Sequence, residues 1–154
     1  GYVLARKQLF LTKGTMEVYY DMLGSTLGEQ LLRPTKMYQA CIGHLLEAGI
    51  EVKSCVQVAH GGLDRALRLL LHEQYGAVVK RRTDSIPPLY QMLHRDGNID
   101  IQQMRQTFNM GIGMAVIVPE NEVEQALKIL KDQGEEAYLI GEVVEGNKEI
   151  NLNI

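Results

Sequence analysis

The stretch that decides the fold of this chain is Met110-Gly111-Ile112-Gly113-Met114-Ala115-Val116-Ile117-Val118, the most apolar run in the sequence. A continuous apolar run of this length predicts a central β-strand that is covered on both faces. Glycine or alanine occupies positions 111, 113 and 115, so these small residues share one face of the strand. That face is nearly bare of side chains, and we expect a helix or a ligand to approach its backbone closely.

Helical and strand patterns alternate along the rest of the chain. Apolar residues at helical spacing predict helices within residues 2–11, 16–23, 35–49, 63–70, 87–93, 100–108 and 121–134. Alternating or continuous apolar runs predict strands at 52–58, 76–80, 110–118, 137–144 and 149–152. The predicted helix caps are Thr35, Asp100 and the pair Asn121 and Glu124, and the predicted helix stops are Gly24, Gly49 and Gly134.

This order of elements indicates one domain over residues 1–154. Interleaved helices and strands are typical of an α/β (α+β) sandwich, here a mixed sheet with helices in a partly ferredoxin-like arrangement. Residues 1–34 are interpreted as N-terminal helices and a polar connector, and residues 35–154 as the α/β core. Because the chain opens with Gly1, directly in a helical pattern, we expect it to be part of a longer protein.

Composition excludes several classes of function. Hydrophobic residues make up 45% and charged residues 23%, as in a globular protein. The formal net charge of -3 argues against nucleic-acid partners, because proteins that bind nucleic acids normally carry an excess of basic residues. No apolar run approaches the roughly 20 residues of a membrane helix, so no membrane partner is expected. Two cysteines, Cys41 in a helix and Cys55 in a strand, predict a reduced, cytoplasmic protein.

The first candidate site is a strand–turn–helix at His60, Gly61 and Gly62. Glycines at the start of a helix let backbone N–H groups face an anion, and the helix dipole favours negative charge there. His60 would add a donor to a phosphate. The alternative is a tight turn in which the glycines only satisfy backbone geometry.

The second candidate site comprises Thr107, Asn109, Gly111 and Gly113, at the entry of the apolar run. Two polar side chains followed by two glycines would form a backbone-lined wall for a substrate. Alternatively, Asn109 caps a helix or completes a turn, and the glycines admit a packing element. The histidines and cysteines show no spacing typical of a metal site, and no nucleophile–base pattern is present, so we predict neither metal nor catalytic residues.

Several segments resemble the phosphoribosylaminoimidazole synthetase (phosphoribosylformylglycinamidine cyclo-ligase) family, in the family's order. The opening 1–7 is similar to G-[YF]-S-L-x-R-K, and 27–38 is similar to L-G-E-x-L-L-x-P-T-[RK]-x-Y. Thr107-Phe108-Asn109-Met110-Gly111-Ile112-Gly113-Met114 closely matches T-F-N-x-G-[IV]-G-M. Ser85-Ile86-Pro87-Pro88-Leu89 stands where the family has V-P-P-[IL], and 140–143 resembles I-G-E-[IV]. The resemblance covers the carboxyl-terminal half of that enzyme.

The resemblance implies a substrate and a reaction. The family closes formylglycinamidine ribonucleotide to aminoimidazole ribonucleotide with ATP and Mg²⁺ in purine biosynthesis. ATP and Mg²⁺ would bind to an N-terminal ATP-binding domain that this chain lacks, and the full-length protein would be a homodimer. This half would supply one wall of the substrate cleft, through the residues of both candidate sites, and no cofactor is expected on it alone.

One loop departs from the family pattern. The family has H-I-T-G-G-G-L-x-x-N-I where this chain has residues 57–67, Q-V-A-H-G-G-L-D-R-A-L. His60 therefore puts a side chain where the family has bare backbone. Two other interpretations stay open: the same half of a related enzyme (formylglycinamidine synthetase, selenophosphate synthetase, thiamine-phosphate kinase or a hydrogenase-maturation protein), or a non-catalytic, stand-alone binding module.

Overall fold

Helices and short strands alternate along residues 1–9, 13–80 and 86–153, which the computed structural model describes. The helices are α1 (Tyr2–Gln8), α2 (Lys13–Met16), α3 (Leu27–Leu31), α4 (Gln39–Glu47), α5 (Gly62–Leu70), α6 (Pro88–Arg95), α7 (Ile101–Thr107) and α8 (Val123–Asp132). The strands are β1 (Tyr19–Tyr20), β2 (Ser25–Thr26), β3 (Ser54–Gln57), β4 (Tyr75–Lys80), β5 (Met114–Ile117), β6 (Gly141–Glu145) and β7 (Ile150–Asn153). A 3₁₀ turn at Glu120–Glu122 precedes α8.

The described strands form three small sheets. β1 and β2 form a hairpin, and β3 pairs antiparallel with β5. The third sheet is mixed, because β4 lies between an antiparallel β6 and a parallel β7. Helices combined with a mixed sheet confirm the predicted α+β class.

The apolar run is not the long central strand that was predicted. Only Met114–Ile117 is strand, and β3 is its one strand partner among the described residues. The extended backbone cannot begin earlier, because Met110 and Gly111 have φ angles of 53° and 94°. The expected close approach to the bare face does occur at Gly113. There the ring of Tyr38 occupies the space that a Cβ would need, so the approaching group is a side chain.

The amino-terminal region differs most from the sequence prediction. The predicted helix at 16–23 is wrong: after α2 ends at Met16 the chain forms the β1–β2 hairpin, and its turn contains Gly24 with a φ of 64°. The predicted connector also contains α3. Thr26 and Glu29 cap this helix reciprocally, and the Thr-x-x-Glu spacing of such a capping box was present in the sequence.

Several predicted helix ends are confirmed, and others are wrong. Gly49 and Gly134 adopt positive φ angles after α4 and α8, as predicted for helix stops. Thr35 does not cap α4, which begins four residues later, at Gln39. The Asn121 cap of α8 is likewise wrong, because the 3₁₀ turn runs through that residue into the helix.

The strand predicted at 137–144 begins only at Gly141, in β6. The predicted last strand is confirmed as β7. The first predicted helix is present as α1, and its predicted end falls in 10–12, outside the described residues.

Three apolar clusters hold the elements together. One packs α5 against β3, β4 and β5, and includes Leu63, Leu67 and Val79. A second joins α1, α6 and α7 around Leu93 and Met104. The third joins α4 to α8, with residues Leu45, Ile50 and Ala126. Because α5 and α7 also contact each other, the first two clusters fix the relative position of the two predicted site segments.

The predicted cap of α7 is confirmed at Asp100, whose carboxylate accepts hydrogen bonds from the backbone N–H groups of Gln102 (2.8 Å) and Gln103 (3.4 Å). Replacing Asp100 with alanine is expected to cost about 1 kcal/mol of unfolding free energy, because these N–H groups lose their acceptor. Chemical denaturation measures this loss. Asp100→Asn is the control, since asparagine caps equally well, and equal losses in both variants would contradict the capping role.

Candidate functional site

The fold brings the two predicted site segments together. α5 starts at Gly62, directly against the carboxyl end of α7. A Cβ at Gly62 would overlap the carbonyl oxygen of Arg105 and lie 3.2 Å from that of Phe108. Gly62 is therefore required by the close approach of the two helices, whereas a Cβ at Gly61 would meet only the side chain of Arg65 in α5.

A cavity of about 320 Å³ opens beside this contact; we call it the α5–α7 cavity. Its lining is mixed, with polar side chains from both helices and apolar surface from Phe108, Met110 and Leu152. The polar residues of the lining are Asp64, Gln102, Arg105, Gln106 and Asn109, and Gly61 lines the cavity with its backbone. This size and mixture are typical of a small-molecule site.

Arg105 contributes a guanidinium to the lining of this cavity. Asp64 also lines it, but its carboxylate is held by Arg68, at 2.8 and 3.1 Å from two guanidinium nitrogens. The two residues stand four apart on α5 and therefore share one face of the helix.

Asn109 is held firmly in the cavity wall. Its Oδ1 accepts hydrogen bonds from the Tyr90 hydroxyl, at 2.7 Å, and from the Gly111 backbone N–H, at 2.9 Å. The ring of Tyr90 in turn packs against Phe108, with 5.7 Å between centroids. Both hydrogen bonds of the Asn109 side chain among the described residues use Oδ1, so Asn109 completes a turn, and its amide Nδ2 takes part in neither bond.

Backbone strain is concentrated at the same wall. Met110 is buried and has a φ of 53°, a left-handed conformation that a non-glycine residue rarely adopts. Strained residues persist where surrounding contacts hold them, and they cluster at ligand sites. Here the bonds of Asn109 and the packing of Met110 in the cluster of α1, α6 and α7 hold the turn.

The seven predicted site residues do not converge on one cavity. Gly61 and Asn109 line the α5–α7 cavity, whereas Gly111 and Gly113 line a second one. His60 is exposed, Gly62 is buried beneath Arg105, and Thr107 is half-buried; these three belong to neither lining. The functional roles of all seven remain predictions.

Sequence reasoning assigned no role to three further polar residues of the α5–α7 cavity. Gln102, Arg105 and Gln106 occupy one face of α7, followed at helical spacing by Asn109. Positions i, i+3, i+4 and i+7 share a helix face, so this grouping was detectable. Nothing in the sequence, however, showed that this face meets the start of α5.

The second cavity, of about 400 Å³, lies between α4, α8 and the segments 111–118 and 135–141; we call it the α4–α8 cavity. Its interior is apolar, and a polar cluster occupies part of its lining. In that cluster, Glu135 accepts hydrogen bonds from Lys36 Nζ at 2.5 Å and from Cys41 Sγ at 3.1 Å. The Lys36 ammonium also lies 6.0 Å from the centroid of the Tyr38 ring.

Ionisation within this cluster is shifted by its contacts. Hydrogen bonds from Lys36 and Cys41 hold the pKa of Glu135 below its usual value, and the bond to Glu135 raises the pKa of Lys36. Desolvation by burial is the main cause of the raised pKa values of Tyr38 and Cys41. The cluster therefore holds a carboxylate, an ammonium, a neutral phenol and a neutral thiol.

The ion pair predicts a pH dependence of stability. Because the folded pKa of Glu135 is depressed, its contribution is present above the ordinary carboxyl pKa and is lost as pH falls through the folded value. Because the folded pKa of Lys36 is raised, its contribution persists below the ordinary amine pKa and disappears as pH rises through the folded value. Glu135→Gln is expected to remove the part of the unfolding free energy that is lost as pH falls. For a partly exposed ion pair this part is about 1 kcal/mol or less.

Unfolding free energies measured across pH test this prediction. Glu136→Gln is the matched control, since the adjacent Glu136 is exposed and has no recorded ion pair among the described residues. If the unfolding free energy of both variants fell with decreasing pH as it does in the parent chain, the Lys36–Glu135 pair would make no contribution to stability.

Both cysteines are free; Cys41 is buried and Cys55 is exposed in β3. Within 1–9, 13–80 and 86–153, no three His, Cys, Asp or Glu side chains are grouped closely enough to hold a metal ion. None of the helices in those ranges is long and apolar enough to cross a bilayer.

Fold and cavity together define an α+β domain with a partly polar cavity between α5 and α7. A family model described as "AIR synthase related protein, C-terminal domain" matches residues 1–151, and the chain belongs to this family. The match confirms the resemblance seen in the sequence motifs.

Curated relatives agree with the family match. A phosphoribosylformylglycinamidine cyclo-ligase of Lachnoclostridium phytofermentans is 40% identical over 152 residues, which cover 99% of this chain and 45% of the relative. Proteins of the same name from Alkaliphilus metalliredigens and Crocosphaera subtropica are 40% and 38% identical, with 99% and 97% of this chain aligned. The chain thus spans a little under half the length of these relatives.

Proposed function

We propose that this chain is the substrate-side domain of a phosphoribosylformylglycinamidine cyclo-ligase. The supporting observation is the 40% identity over 99% of the chain to a protein of that name, together with the match to the family's C-terminal domain. The remaining length of the relatives accommodates the ATP-binding part. In this proposal the full-length protein is a cytoplasmic homodimer.

The proposed reaction divides between two parts of the protein. Transfer of the γ-phosphoryl group of ATP to the formyl oxygen of formylglycinamidine ribonucleotide turns that oxygen into a leaving group. The amidine-side nitrogen then attacks the carbon, the C–O bond breaks, and phosphate leaves as the imidazole ring closes. In this proposal ATP and Mg²⁺ bind to the remaining part, as the family resemblance implies. This domain contributes binding and orientation.

The α5–α7 cavity is the proposed substrate wall. Arg105 supplies positive charge suited to the ribonucleotide phosphate, and Gly61 exposes backbone at the same opening. Asn109 presents its amide from a turn held by Tyr90 and Gly111. His60 and Thr107 flank the cavity without lining it, and in this proposal they contact substrate only at its edge.

Binding by Asn109 is tested by calorimetric titration of the chain with formylglycinamidine ribonucleotide. Asn109→Ala is expected to weaken binding about tenfold, because a hydrogen-bond donor to the ligand is lost. Tyr90→Phe is the control: it removes the 2.7 Å bond that positions Asn109 but keeps the amide. We expect a smaller loss in Tyr90→Phe; equal losses would show that Asn109 acts only through the turn. Ribose 5-phosphate serves as the reference ligand, and Gly61→Ala tests the backbone contribution.

The reaction itself is tested by combining the chain with the remaining part of the Lachnoclostridium relative. ATP-dependent formation of aminoimidazole ribonucleotide, absent when either part is omitted, is the expected result. A well-folded assembly without turnover would contradict the proposal, and would favour a related ATP-dependent enzyme or a stand-alone binding module.

A further inference from the structure

The α4–α8 cavity is separate from the proposed substrate wall. The two cavities share no lining residue, although Met110 and Gly111 are neighbours in the chain and line different ones. At about 400 Å³ the α4–α8 cavity is in the size range of small-molecule sites. Its binding capacity therefore has to be considered on its own.

The hydrogen-bond donors and the acceptor of the polar cluster differ in how many hydrogen bonds they already make. Glu135 accepts one bond at each carboxylate oxygen, from Lys36 and from Cys41. Lys36 uses one of its three N–H donors in this pair, and its side chain is 52% exposed. The Tyr38 hydroxyl has no recorded hydrogen bond within the described parts of the chain, and it lies against Gly113 in the same lining. The polar cluster thus offers spare donors, while its acceptor already carries two bonds.

Most of the remaining lining is apolar, and its other polar side chains are Glu136 and Tyr138. α4 contributes Ile42 and Leu45, and α8 contributes Ala126, Leu127 and Leu130. A ligand that matches this surface has an apolar body, and a ligand that matches the donors carries acceptors at one end. A carboxylate fits best, because charge-assisted bonds to an ammonium are about twice as strong as neutral ones.

We infer that the α4–α8 cavity binds a small carboxylic acid, with its apolar body between α4 and α8 and its carboxylate on Lys36 and Tyr38. Glu135 has the opposite effect in this site, since its negative charge competes with the ligand for Lys36. The inference does not depend on the proposed reaction, because the lining excludes every residue of the α5–α7 cavity.

The test uses 4-phenylbutyrate as the probe, titrated into the isotopically labelled chain and followed by amide chemical shifts. Saturable shifts at Cys41, Gly113 and Ala126, with a dissociation constant in the millimolar range for a probe this small, are the expected result. 4-Phenylbutanol has the same body without the charge and is expected to bind about tenfold more weakly.

Two variants that are expected to change the affinity in opposite directions make the test specific. Lys36→Gln is expected to weaken 4-phenylbutyrate binding about tenfold, whereas Glu135→Gln keeps an acceptor for Lys36 and is expected to tighten it about threefold. Lys128→Gln is the control, since Lys128 is paired with Asp132 on the exposed face of α8.

The inference would be overturned by the absence of saturable shifts, by equal affinity for the acid and the alcohol, by an unchanged affinity in Lys36→Gln, or by weaker binding in Glu135→Gln. Competition by formylglycinamidine ribonucleotide for the same shifts would also overturn it, because the cavity would then belong to the substrate site. The ring-closure assay stays independent of all of these outcomes.

Discussion

Replacing Gly62 with alanine is expected to lower the free energy of unfolding by about 3 kcal/mol or more, combining left-handed backbone cost with steric overlap. The residue has a φ of 66°, which an L-residue adopts only with strain. The added Cβ would also overlap the Arg105 carbonyl oxygen. That oxygen is backbone at the end of α7, so no side chain can rotate away to relieve the contact.

Gly134→Ala separates the two causes. Gly134 has a comparable φ of 79°, but nothing lies within 4 Å of the position its Cβ would take. Gly134→Ala is expected to lower the free energy of unfolding by only about 1 kcal/mol, from the cost of the left-handed backbone alone. Denaturant unfolding of both variants measures the difference. Equal losses would mean that α7 moves away from α5 without cost. We also expect Gly62→Ala to weaken ligand binding in the α5–α7 cavity, since the shift displaces Arg105.

Replacing Leu45 with alanine is expected to cost about 2–5 kcal/mol, the range for a fully buried leucine. Leu45 has no exposed surface and packs with Ile50 and Ala126, joining α4 to α8. Its removal takes away this packing and leaves a void between the helices. The midpoint of urea unfolding, at unchanged slope, reports the loss.

Leu46→Ala is the matched control in the same helix. Leu46 is 57% exposed, so its truncation is expected to change stability by about 0.5 kcal/mol or less. Both substitutions replace leucine with alanine in α4, so the difference between them isolates burial. Similar losses at the two positions would contradict the packing of α4 against α8.

Local signals were enough to predict several elements. Apolar residues at helical spacing identified α4, α5 and α8, and the Asp100 side chain identified the start of α7. These features depend on residues within one or two helical turns, and such residues make the same contacts in most surroundings.

The same reasoning failed where two local structures competed. Residues 16–23 fit a helical spacing, yet Tyr19 and Tyr20 pair with β2 across a turn at Gly24. In the apolar run, the sequence could not separate strand from turn. The bond from Gly111 N–H to Asn109 Oδ1 forms a turn there, which the sequence offered only as one of two alternatives.

The candidate sites show the same division. Motif order alone identified the family, and the sequence pointed to Gly61 and Asn109, which do line one cavity. It could not show that Gly62 is needed for contact with Arg105, since the two residues belong to different helices.

By itself, then, the sequence determined the α+β class, most of the helices and the family, because these depend on local spacing and on motifs read along the chain. Only the tertiary structure decided which residues share a cavity. Lys36 and Glu135 are 99 positions apart, and the packing of α4 on α8 brings them together. Contacts of that separation depend on how whole elements pack, and no local pattern encodes them.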